Sequence, residues 1–375
     1  MALKALQVFN FRNLVQQTVE FGPSLNIIYG KNGSGKTSLL EAIYLLSHGK
    51  SFRTRRTKTI LSSHTKNDSV VVRGTYSTSS EVGGKAQSGF TSAAIKKTPA
   101  EAYLAKVDGE TVHSISVLAK ISPTLILEPR SFDLLIGGPS FRRKFLDWGV
   151  FHVEHEFSEI WKRYINCLKQ RNSLLRSGRI DEQLFRTWEK SLAEAGEQIS
   201  SFRKAYFEAF RQEFEALKSQ FLDESLGKHI RLRLDVGWDE RNSLLEQFES
   251  GRAKDIKRLQ TTIGPHRADV RILFKGLAAT EVLSRGQQKL LIIALYLANV
   301  LTLKKATGKP SVLLFDDVAA ELDGTNLDRT MLTLLESNAQ IICTALELNT
   351  FSRLTSAYND KKVFHVEHGL VSCIE

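Results

Sequence analysis

A glycine-rich segment near the amino terminus constrains the fold of this 375-residue chain more than any other feature. It lies between an apolar, β-rich run at residues 25–29 and a stretch of helical apolar periodicity at residues 37–46. The segment fits G-x-x-x-x-G-K-[ST] and comprises Gly30, Lys31, Asn32, Gly33, Ser34, Gly35, Lys36, Thr37 and the following Ser38. Glycines at a strand-to-helix turn let backbone N–H groups approach a phosphate closely. The pattern predicts a P-loop in which Lys36 reaches the β- and γ-phosphates of ATP and the Thr37 hydroxyl ligates Mg²⁺.

A second segment, residues 312–315 followed by two aspartates, matches the Walker B pattern. Its apolar run predicts a buried parallel strand whose carboxyl end carries the two side chains. We expect Asp316 to hold Mg²⁺ through water. Asp317 lies where transport-type ATPases place a glutamate that polarises the attacking water, and aspartate is one methylene shorter, so we expect slow hydrolysis. The alternative is that the two aspartates bind no ligand and are solvated carboxylates at a strand end.

A third segment, residues 283–287, fits the signature L-S-x-G-Q of ABC-type ATPases and precedes an apolar stretch at residues 290–303. That stretch predicts a helix of 14 residues, too short to span a bilayer. In ABC folds the signature opens a helix whose N-terminus faces the γ-phosphate held by a second protomer. The segment therefore predicts that Ser284, Gly286 and Gln287 contact ATP bound to the partner in a head-to-tail homodimer.

The order and spacing of the three segments are typical of an ABC-type ATPase. We predict an α/β fold with a P-loop core, an antiparallel β subdomain and an α-helical arm. The ATPase lobe is expected to comprise residues 1–150 and 232–375. Apolar residues recur every three to four positions in the intervening arm, residues 151–231. The predicted catalytic residues are Lys36, Ser284 and Asp317.

Two further β features are expected in the amino-terminal part. The first residues read as an edge strand that turns into a hairpin at residues 11–13. A stretch rich in Ser, Gly, Ala and Lys, residues 76–103, reads as a hairpin with a mobile loop.

The formal net charge of +11 is concentrated near the amino terminus, where residues 1–149 hold 20 basic against 10 acidic side chains. The densest basic stretch follows the P-loop helix and comprises Lys50, Arg53, Arg55, Arg56 and Lys58. Such a cluster is an electrostatic footprint for a phosphate backbone, and these residues are the DNA-binding candidates. Two alternatives stay open: a solvated basic loop that favours solubility, and contact of Arg53 with the bound nucleotide.

Cysteine usage and the amino terminus bear on the compartment. The three cysteines, Cys167, Cys343 and Cys373, are odd in number and share no metal-ligand spacing. The first residues lack the apolar region of a signal peptide. We therefore expect a cytoplasmic protein without a membrane partner.

The chain resembles the RecF family of bacterial ABC-type repair ATPases over nearly its whole length. Besides the ATPase segments, the resemblance rests on residues 9–13, 49–53, 137–148, 169–172, 264–269 and 321–323. The Gly-Pro…Arg-Arg…Leu-Asp and Gly-Pro-His-Arg-x-Asp segments are typical of this family rather than of ABC proteins at large. Two residues depart from the family pattern: Arg130 stands where an acidic residue is usual, and Asn326 where a basic residue is usual.

The resemblance implies a protein of DNA repair, replication restart and the SOS response. It implies that ATP drives a homodimer that clamps DNA at gapped duplexes or single/double-strand junctions, that weak, DNA-stimulated hydrolysis releases it, and that RecO and RecR act with it to load recombinase. Asp323 is then expected at the dimer seam. The alternative is the nucleotide-binding subunit of an ABC transporter, against which stand Asp317, the helical arm, and Thr344 near the usual place of a switch histidine.

His266, within the Gly-Pro-His-Arg segment, has two interpretations. It is either a functional group or a histidine that caps a turn and is satisfied within the core.

Overall fold

The computed structural model describes residues 2–54, 56–63, 67–82, 85–100, 103–177, 182–317, 322–351 and 360–374. The strands are β1 (Ala2–Phe11), β2 (Leu14–Glu20), β3 (Leu25–Tyr29), β4 (Val70–Val82), β5 (Lys85–Lys97), β6 (Leu104–Val107), β7 (Glu110–Val112), β8 (Thr124–Leu127), β9 (Ile230–Asp235), β10 (Asp269–Phe274), β11 (Leu277–Ala278), β12 (Val312–Phe315), β13 (Gln340–Ala345), β14 (Lys361–Glu367) and β15 (Leu370–Cys373). The helices are α1 (Lys36–His48), α2 (Ile115–Ile121), α3 (Asp133–Ile136), α4 (Pro139–Val153), α5 (Phe157–Ser177), α6 (Glu182–Phe221), α7 (Glu224–Gly227), α8 (Leu244–Arg258), α9 (Ala279–Val282), α10 (Arg285–Thr307) and α11 (Gly324–Glu336).

The chain divides into two compact units. Met1–Ser131 and Gly308–Glu375 form the first unit, and Phe132–Thr307 forms the second. The second unit thus contains the predicted helical arm and also the signature segment. The predicted ATPase lobe (residues 1–150 and 232–375) and arm lobe (residues 151–231) divide the chain by function rather than by compactness. That division stays a prediction.

A mainly parallel sheet in the first unit has the strand order β15-β14-β3-β13-β12-β8. Strands β14, β3, β13, β12 and β8 run parallel to one another, whereas β15 pairs antiparallel with β14. All four residues of both β12 and β8 are buried. Parallel strands buried on both faces read as continuous apolar runs, which is why residues 312–315 predicted this strand. The predicted α/β fold is confirmed.

An antiparallel sheet in the same unit has the order β2-β1-β4-β5-β6-β7. The predicted edge position of β1 is wrong, because β1 pairs with both β2 and β4. Leu3, Leu6 and Val8 are buried on one face of β1, and one-sided burial occurs in edge and interior strands alike. The predicted hairpin is confirmed as β4 and β5, which pair from Val70↔Lys97 to Val82↔Lys85. Residues 83–84 of its turn lie outside the described residues.

Helix α1 links the two sheets of the first unit. Its residues Leu39, Leu40, Ile43 and Leu46 belong to one buried apolar cluster with residues of β1, β3, β4, β12 and β13. Because α1 is fixed in this core, the loop before it is held at the end of β3.

The second unit is mainly helical. Helix α5 packs beside α6, and α6 runs for 40 residues, about 60 Å. The aromatic residues Tyr206, Phe210 and Phe214 of α6 are buried, so this stripe is core, as predicted. Strands β9, β10 and β11 form an antiparallel sheet in the order β11-β10-β9.

Helix α10 runs for 23 residues, so the predicted length of 14 is wrong. The polar first turn, residues 285–289, has no apolar signal and was therefore missed. Within the described ranges, α10 alone is long and apolar enough to cross a membrane by length and composition. In its most apolar window 61% of the residues are buried inside the protein. Helix α10 packs against α6, and this contact accounts for its apolar composition. The Tyr206 hydroxyl of α6 also donates to the Asn299 side chain of α10.

Candidate nucleotide-binding site

Several loops of the first unit meet at the carboxyl edge of its parallel sheet. Gly30 follows β3, Glu128 follows β8, and Asp316 follows β12. The register aligns the last residues of β12 and β8, Phe315 and Leu127. Loops at this edge of a parallel sheet are the usual ligand sites of α/β proteins. The predicted P-loop and the Walker B carboxylates are therefore brought to one edge.

The P-loop backbone requires its glycines. Gly30, Gly33 and Gly35 have φ angles of 152°, 77° and 126°, which side-chain-bearing residues rarely adopt. A Cβ on Gly30 would lie 2.3 Å from the backbone oxygen of Val366. The loop is therefore packed against its surroundings as well as turned, and α1 begins directly after it at Lys36.

Two residues distant in sequence hold the P-loop in place. The Asn13 side chain donates to the Ser34 carbonyl (2.9 Å), and the Gly369 N–H donates to the same oxygen (2.8 Å). The Ser34 hydroxyl itself is buried and has no hydrogen-bond partner within the described part of the chain. An unsatisfied buried polar atom is costly, so the loop retains a polar group available to a ligand.

Lys36 folds back onto the loop that precedes it. Its Nζ donates to the carbonyl oxygens of Gly30 (2.6 Å) and Lys31 (3.1 Å). Burial lowers the pKa of Lys36, while the charges of Asp317 and Asp316 act in the opposite direction. The ammonium group is thus held by neutral acceptors, with the two carboxylates nearby.

Asp316 joins the two ATPase segments. Its Oδ1 accepts from the Thr37 hydroxyl (2.9 Å), across 279 positions of sequence, and from the Thr344 hydroxyl (3.1 Å). Burial raises the pKa of Asp316, and the hydrogen bond from Thr37 opposes that rise. The residues predicted to hold Mg²⁺ are therefore in direct contact.

Asp317 adopts a left-handed backbone conformation, with φ of 54°. Its N–H donates to the Thr344 hydroxyl (2.9 Å). Thr344, which lies near the usual place of a switch histidine, therefore contacts both aspartates through one hydroxyl. The Thr344 hydroxyl therefore links the Asp316 carboxylate to the Asp317 backbone without adding a charge.

Sequence reasoning assigned no role to Glu41, a fully buried carboxylate on α1. Arg12 donates to both of its oxygens (Nη2 to Oε1 2.8 Å), and the Ser51 hydroxyl donates to Oε1. Arg53 Nη1 lies 3.9 Å from Oε2. This network ties the start of the basic stretch to the P-loop helix. The signal available in the sequence was the Arg-Asn pair at residues 12–13, which lies at the turn after β1. In the structure Arg12 has a φ of 53° there.

Glu128 is a second carboxylate that sequence reasoning missed. Burial raises its pKa to about 7, and Arg130 and Arg53 oppose that rise while Asp316 adds to it. The group is sensitive to the charge of Asp316 because both residues follow neighbouring strands. We therefore expect the protonation of Glu128 to change when phosphates and a cation enter the site.

The basic stretch is described except for Arg55, which lies outside the described residues. Lys50, Arg53, Arg56 and Lys58 are exposed. The charge of Arg53 opposes the rise in the pKa of Asp316. Whether Arg53 contacts the nucleotide or DNA stays a prediction.

The signature segment lies in the second unit and forms the start of α10, as predicted. The Ser284 N–H donates to Gln287 Oε1 (2.9 Å), and the Gln287 N–H donates to the Ser284 hydroxyl (3.3 Å), which is a capping box. Ser284 and Gly286 are exposed, and a Cβ on Gly286 would have no atom within 4 Å. The helix therefore presents an open amino terminus to solvent.

Comparisons with known proteins agree on one family. The chain matches the RecF/RecN/SMC N terminal domain model over residues 2–372. A DNA replication and repair protein RecF from Teredinibacter turnerae is 36% identical over 373 residues, 98% of this chain and 96% of that protein. Its counterpart from Chromohalobacter salexigens is 38% identical over 369 residues, 98% of this chain and 99% of that one. The chain belongs to the RecF family.

Solved structures of a RecF protein and of an Smc head have folds similar to that of this chain. A structure of the recombination mediator protein RecF-ATP in the RecFOR pathway is 27% identical, covers 100% of this chain and 98% of its own, and has a TM-score of 0.83. An Smc head bound to the C-winged helix domain of ScpA, 15% identical with a TM-score of 0.57, covers 100% of this chain and 97% of its own and shares the fold alone.

The two departures from the RecF pattern have local explanations. Asn326 donates to Asp323 from its N–H (2.9 Å) and from its side chain (2.7 Å), so it completes the cap of α11. These bonds lower the pKa of Asp323. Arg130 donates to the carbonyl oxygen of Phe52 (3.4 Å). Whether Asp323 lies at a dimer seam stays a prediction.

Segments typical of the RecF family meet inside the second unit. Arg142 makes a two-pronged ion pair with Asp269 (2.7 and 3.1 Å). His266 Nδ1 lies 2.6 Å from the Tyr164 hydroxyl and Nε2 lies 3.2 Å from the Thr261 carbonyl oxygen. Burial lowers the pKa of His266 to about 4. Both ring nitrogens are occupied, which favours the core interpretation of this histidine.

Proposed function

We propose that this RecF-family protein is a DNA-binding ATP switch of recombinational repair and replication restart. The observation that carries the proposal is the 2.9 Å hydrogen bond between Thr37 and Asp316, which unites the P-loop and Walker B at one strand edge. Relatives named as DNA replication and repair proteins support the biological role. A neighbour described as RecF-ATP supports ATP as the ligand.

The site residues take roles that their contacts support. Backbone N–H groups of residues 30–37 surround the phosphates, and Lys36 turns from its carbonyl partners toward the β- and γ-phosphates. Asp317 orients the attacking water. Its short side chain, fixed in a left-handed conformation, makes hydrolysis weak, and contact with DNA stimulates it.

Mg²⁺ fits the donors that are present. Thr37 and Asp316 offer a hydroxyl and a carboxylate in contact, and hard divalent cations prefer oxygen ligands. Bound there, Mg²⁺ would supply positive charge that offsets the charge developing during phosphoryl transfer. Thr37 and Asp316 would hold the cation, while Thr344 keeps the Asp316 carboxylate in place.

The signature segment completes the site across a dimer. Ser284, Gly286 and Gln287 of one copy contact the ATP bound by the other, and the open amino terminus of α10 favours the negative charge of the γ-phosphate. The homodimer then clamps gapped duplex or single/double-strand junctions, and hydrolysis releases it. RecO and RecR act with the clamp to load recombinase in the cytoplasm.

Analytical sedimentation tests the proposal with ATP and Mg²⁺, with and without a gapped duplex. The wild-type chain should form dimers only with ATP, and these should co-sediment with the DNA. Lys36→Arg should abolish dimerisation by weakening phosphate binding. Ser284→Arg should bind ATP as a monomer and fail to dimerise. A Ser284→Arg variant that dimerises normally would contradict the shared site, and a wild-type dimer that ignores every DNA would contradict the DNA role.

A further inference from the structure

The antiparallel sheet of the second unit has one charged, solvent-facing surface. Successive residues of a strand face opposite sides, and the buried side of β9 and β10 contains Ile230, Leu232, Val270 and Ile272. The opposite side carries the charged residues Arg231, Arg233, Asp235, Asp269 and Arg271. The three arginines are exposed.

Strand register places like charges directly opposite each other. Arg233 pairs with Arg271, and Asp235 pairs with Asp269. Like charges in directly opposite positions destabilise an antiparallel pair. If charged side chains on this face stabilised the sheet, opposite charges would be expected at directly opposite positions. The observed register therefore indicates that the charged face is suited to a binding partner.

The aspartates are neutralised within the unit. Asp235 Oδ2 lies 3.0 Å from Arg271 Nη2 on the diagonal. Asp269 is held by Arg142 of α4, with its Oδ1 2.7 Å from the Arg142 Nε. Each aspartate therefore already has an arginine partner.

Arg231 and Arg233 are left over. Within the part of the chain that the structure describes, neither lies within ion-pair distance of a carboxylate. The one side-chain bond of Arg231 is from Nη1 to the carbonyl of its neighbour Ile230 (2.8 Å). The two residues lie two positions apart on one face of β9, which separates them by about 6.8 Å. Two guanidinium groups thus stand side by side in solvent without an anion.

The adjoining end of the sheet is also positive. Lys275 is exposed in the turn after β10, and its N–H donates to the carbonyl of His229 (3.2 Å). The pKa of His229 is lowered by desolvation first, and then by the charges of Lys275, Lys228 and Arg231. Lys228 has a carboxylate partner, Glu224, at 3.6 Å, whereas Lys275 has none in the described ranges.

We propose that the arginine face, defined as Arg231, Arg233 and Arg271, binds the phosphate backbone of DNA. The assignment rests on the proposed DNA role and places a contact surface in the second unit, apart from the basic stretch at residues 50–58. All three residues are arginine, whose planar fork binds phosphate through two hydrogen bonds. Backbone contacts of this kind position a protein on DNA without reading its sequence.

Charge counting along the sequence could not find this surface. Residues 150–231, which include Arg231, hold 14 basic and 13 acidic side chains, and residues 232–375 hold 18 of each, so both segments are close to neutral. The face becomes positive only because folding pairs both aspartates and leaves Arg231 and Arg233 unpaired.

The test is the salt dependence of binding to a gapped duplex, measured by fluorescence anisotropy with ATP and Mg²⁺. Arg231→Gln/Arg233→Gln is the test variant, and Arg231→Lys/Arg233→Lys keeps the charge. Lys162→Gln/Lys190→Gln is the matched control, because it removes two exposed charges from α5 and α6 that have no carboxylate partner in the described residues. Circular dichroism and ATP-dependent dimerisation confirm that each variant folds.

We expect the Gln variant to bind about tenfold more weakly at low salt. The slope of log K against log salt should become shallower by about 2, since each lost phosphate contact contributes about 0.9. The Lys variant should keep the wild-type slope, and the control variant should bind like wild type. These results together support the arginine face.

Other outcomes overturn it, and they separate it from the proposed function. If wild type binds DNA and the Gln variant matches it in affinity and slope, the arginine face is wrong while the DNA role stands. If the Gln variant loses only binding to poly-glutamate, the face belongs to an acidic protein partner. If wild type binds no DNA in any nucleotide state, the DNA role and the arginine face both fail.

Discussion

In the second unit Arg171 is buried with carboxylates at hydrogen-bonding distance, whereas in the first unit Lys36 is buried with backbone carbonyls as its hydrogen-bond partners. Arg171 donates to Asp255 (2.7 Å), Glu189 (2.8 Å) and the Thr261 hydroxyl (2.8 Å). Its guanidinium also lies 5.2 Å from the ring centroid of Phe185 and 5.0 Å from that of Phe248. Each charge in this group is met by the protein itself.

The nucleotide site of the first unit is not completed in this way. Burial moves the pKa of Lys36 down and those of Asp316 and Glu128 up, so each charged form is disfavoured where it lies. The Ser34 hydroxyl is a buried polar atom without a described partner, but so is Arg252 Nε in the second unit, so the contrast rests on the charged groups. The buried charges around Arg171 therefore stabilise the second unit, whereas those around Lys36 and Asp316 in the first unit are available to a ligand.

The largest effect is expected for Arg171→Met, which leaves Asp255 buried without its cation and leaves Glu189 with Arg252 as its remaining partner. Removing one partner of a buried ion pair costs about 3–5 kcal/mol. All four tryptophans, Trp148, Trp161, Trp188 and Trp238, lie in the second unit, so urea unfolding followed by tryptophan fluorescence reports on that unit.

The matched control for Arg171→Met is Arg186→Met, at an exposed position of α6 paired with Glu182 at 3.9 Å. It should change the stability by less than about 1 kcal/mol. Equal losses in the two variants would show that the buried network contributes no more than a surface pair.

Lys36→Met should separate binding from stability. We expect ATP affinity to fall about 100-fold, which is about 2.7 kcal/mol, through loss of the charge at the β- and γ-phosphates. The first unit should not lose stability, because the variant removes a buried ammonium that burial disfavours. Calorimetric titration with ATP and Mg²⁺ measures the affinity.

Lys31→Met serves as the control for Lys36→Met, since Lys31 is exposed in the same loop. Its affinity should stay within about threefold of wild type, less than 1 kcal/mol. A similar loss in both variants would point to general charge attraction rather than a specific ammonium position.

Ser284→Ala should destabilise the second unit by about 1 kcal/mol, because it removes the hydroxyl that caps α10. Ser284→Thr retains a capping hydroxyl and should recover most of that loss. Urea unfolding followed by tryptophan fluorescence measures both variants. No difference between Ala and Thr would mean that the cap contributes nothing in the isolated chain.

The smallest effects are expected in the pH dependence, because both titrating groups are only partly buried. Glu128 has a folded pKa of about 7 against 4.5 in its ordinary state, so the folded form holds its proton more tightly. Stability of the first unit should fall as pH rises from 4.5 to 7. Glu128→Gln should remove that slope, and Glu110→Gln, at an exposed position, should keep it. Hydrogen exchange of residues 124–131, corrected for intrinsic rates, measures the slope.

His266 should give the opposite slope in the second unit. Its folded pKa of about 4 lies below the ordinary 6.5, so the unfolded form binds more protons in between. Stability should therefore rise as pH rises from about 4 to 6.5. Urea unfolding followed by tryptophan fluorescence should show this rise in the stability of the wild type. The stability of His266→Asn should depend less on pH. Parallel slopes in the two units would contradict the assignment of these groups.

The sequence predicted the features that depend on adjacent residues. The P-loop, strands β3 and β12, helix α1 and the long helix α6 follow from glycine spacing and periodicity, which are local. The edge position of β1 was predicted wrongly because pairing partners are not encoded in one strand's pattern. The α10 length was underestimated because its first turn is polar.

The parts of the site that were missed depend on contacts between distant segments. Glu41 reads as one polar residue on an apolar helix until Arg12 and Ser51 are folded onto it. Glu128 reads as an ordinary carboxylate until burial beside Asp316 raises its pKa. In the same way, the unpaired Arg231 and Arg233 emerge from a register that composition cannot reveal.

The most direct test of the contrast between the units is hydrogen exchange of the monomeric Ser284→Arg variant with and without ATP and Mg²⁺. We predict slower exchange at residues 30–40 and 312–317, no change at residues 164–175 around the Arg171 network, and no response when Lys36→Met is added. Equal protection in both units, or no protection at residues 30–40, would contradict the claim that the first unit holds an incomplete site that ATP fills.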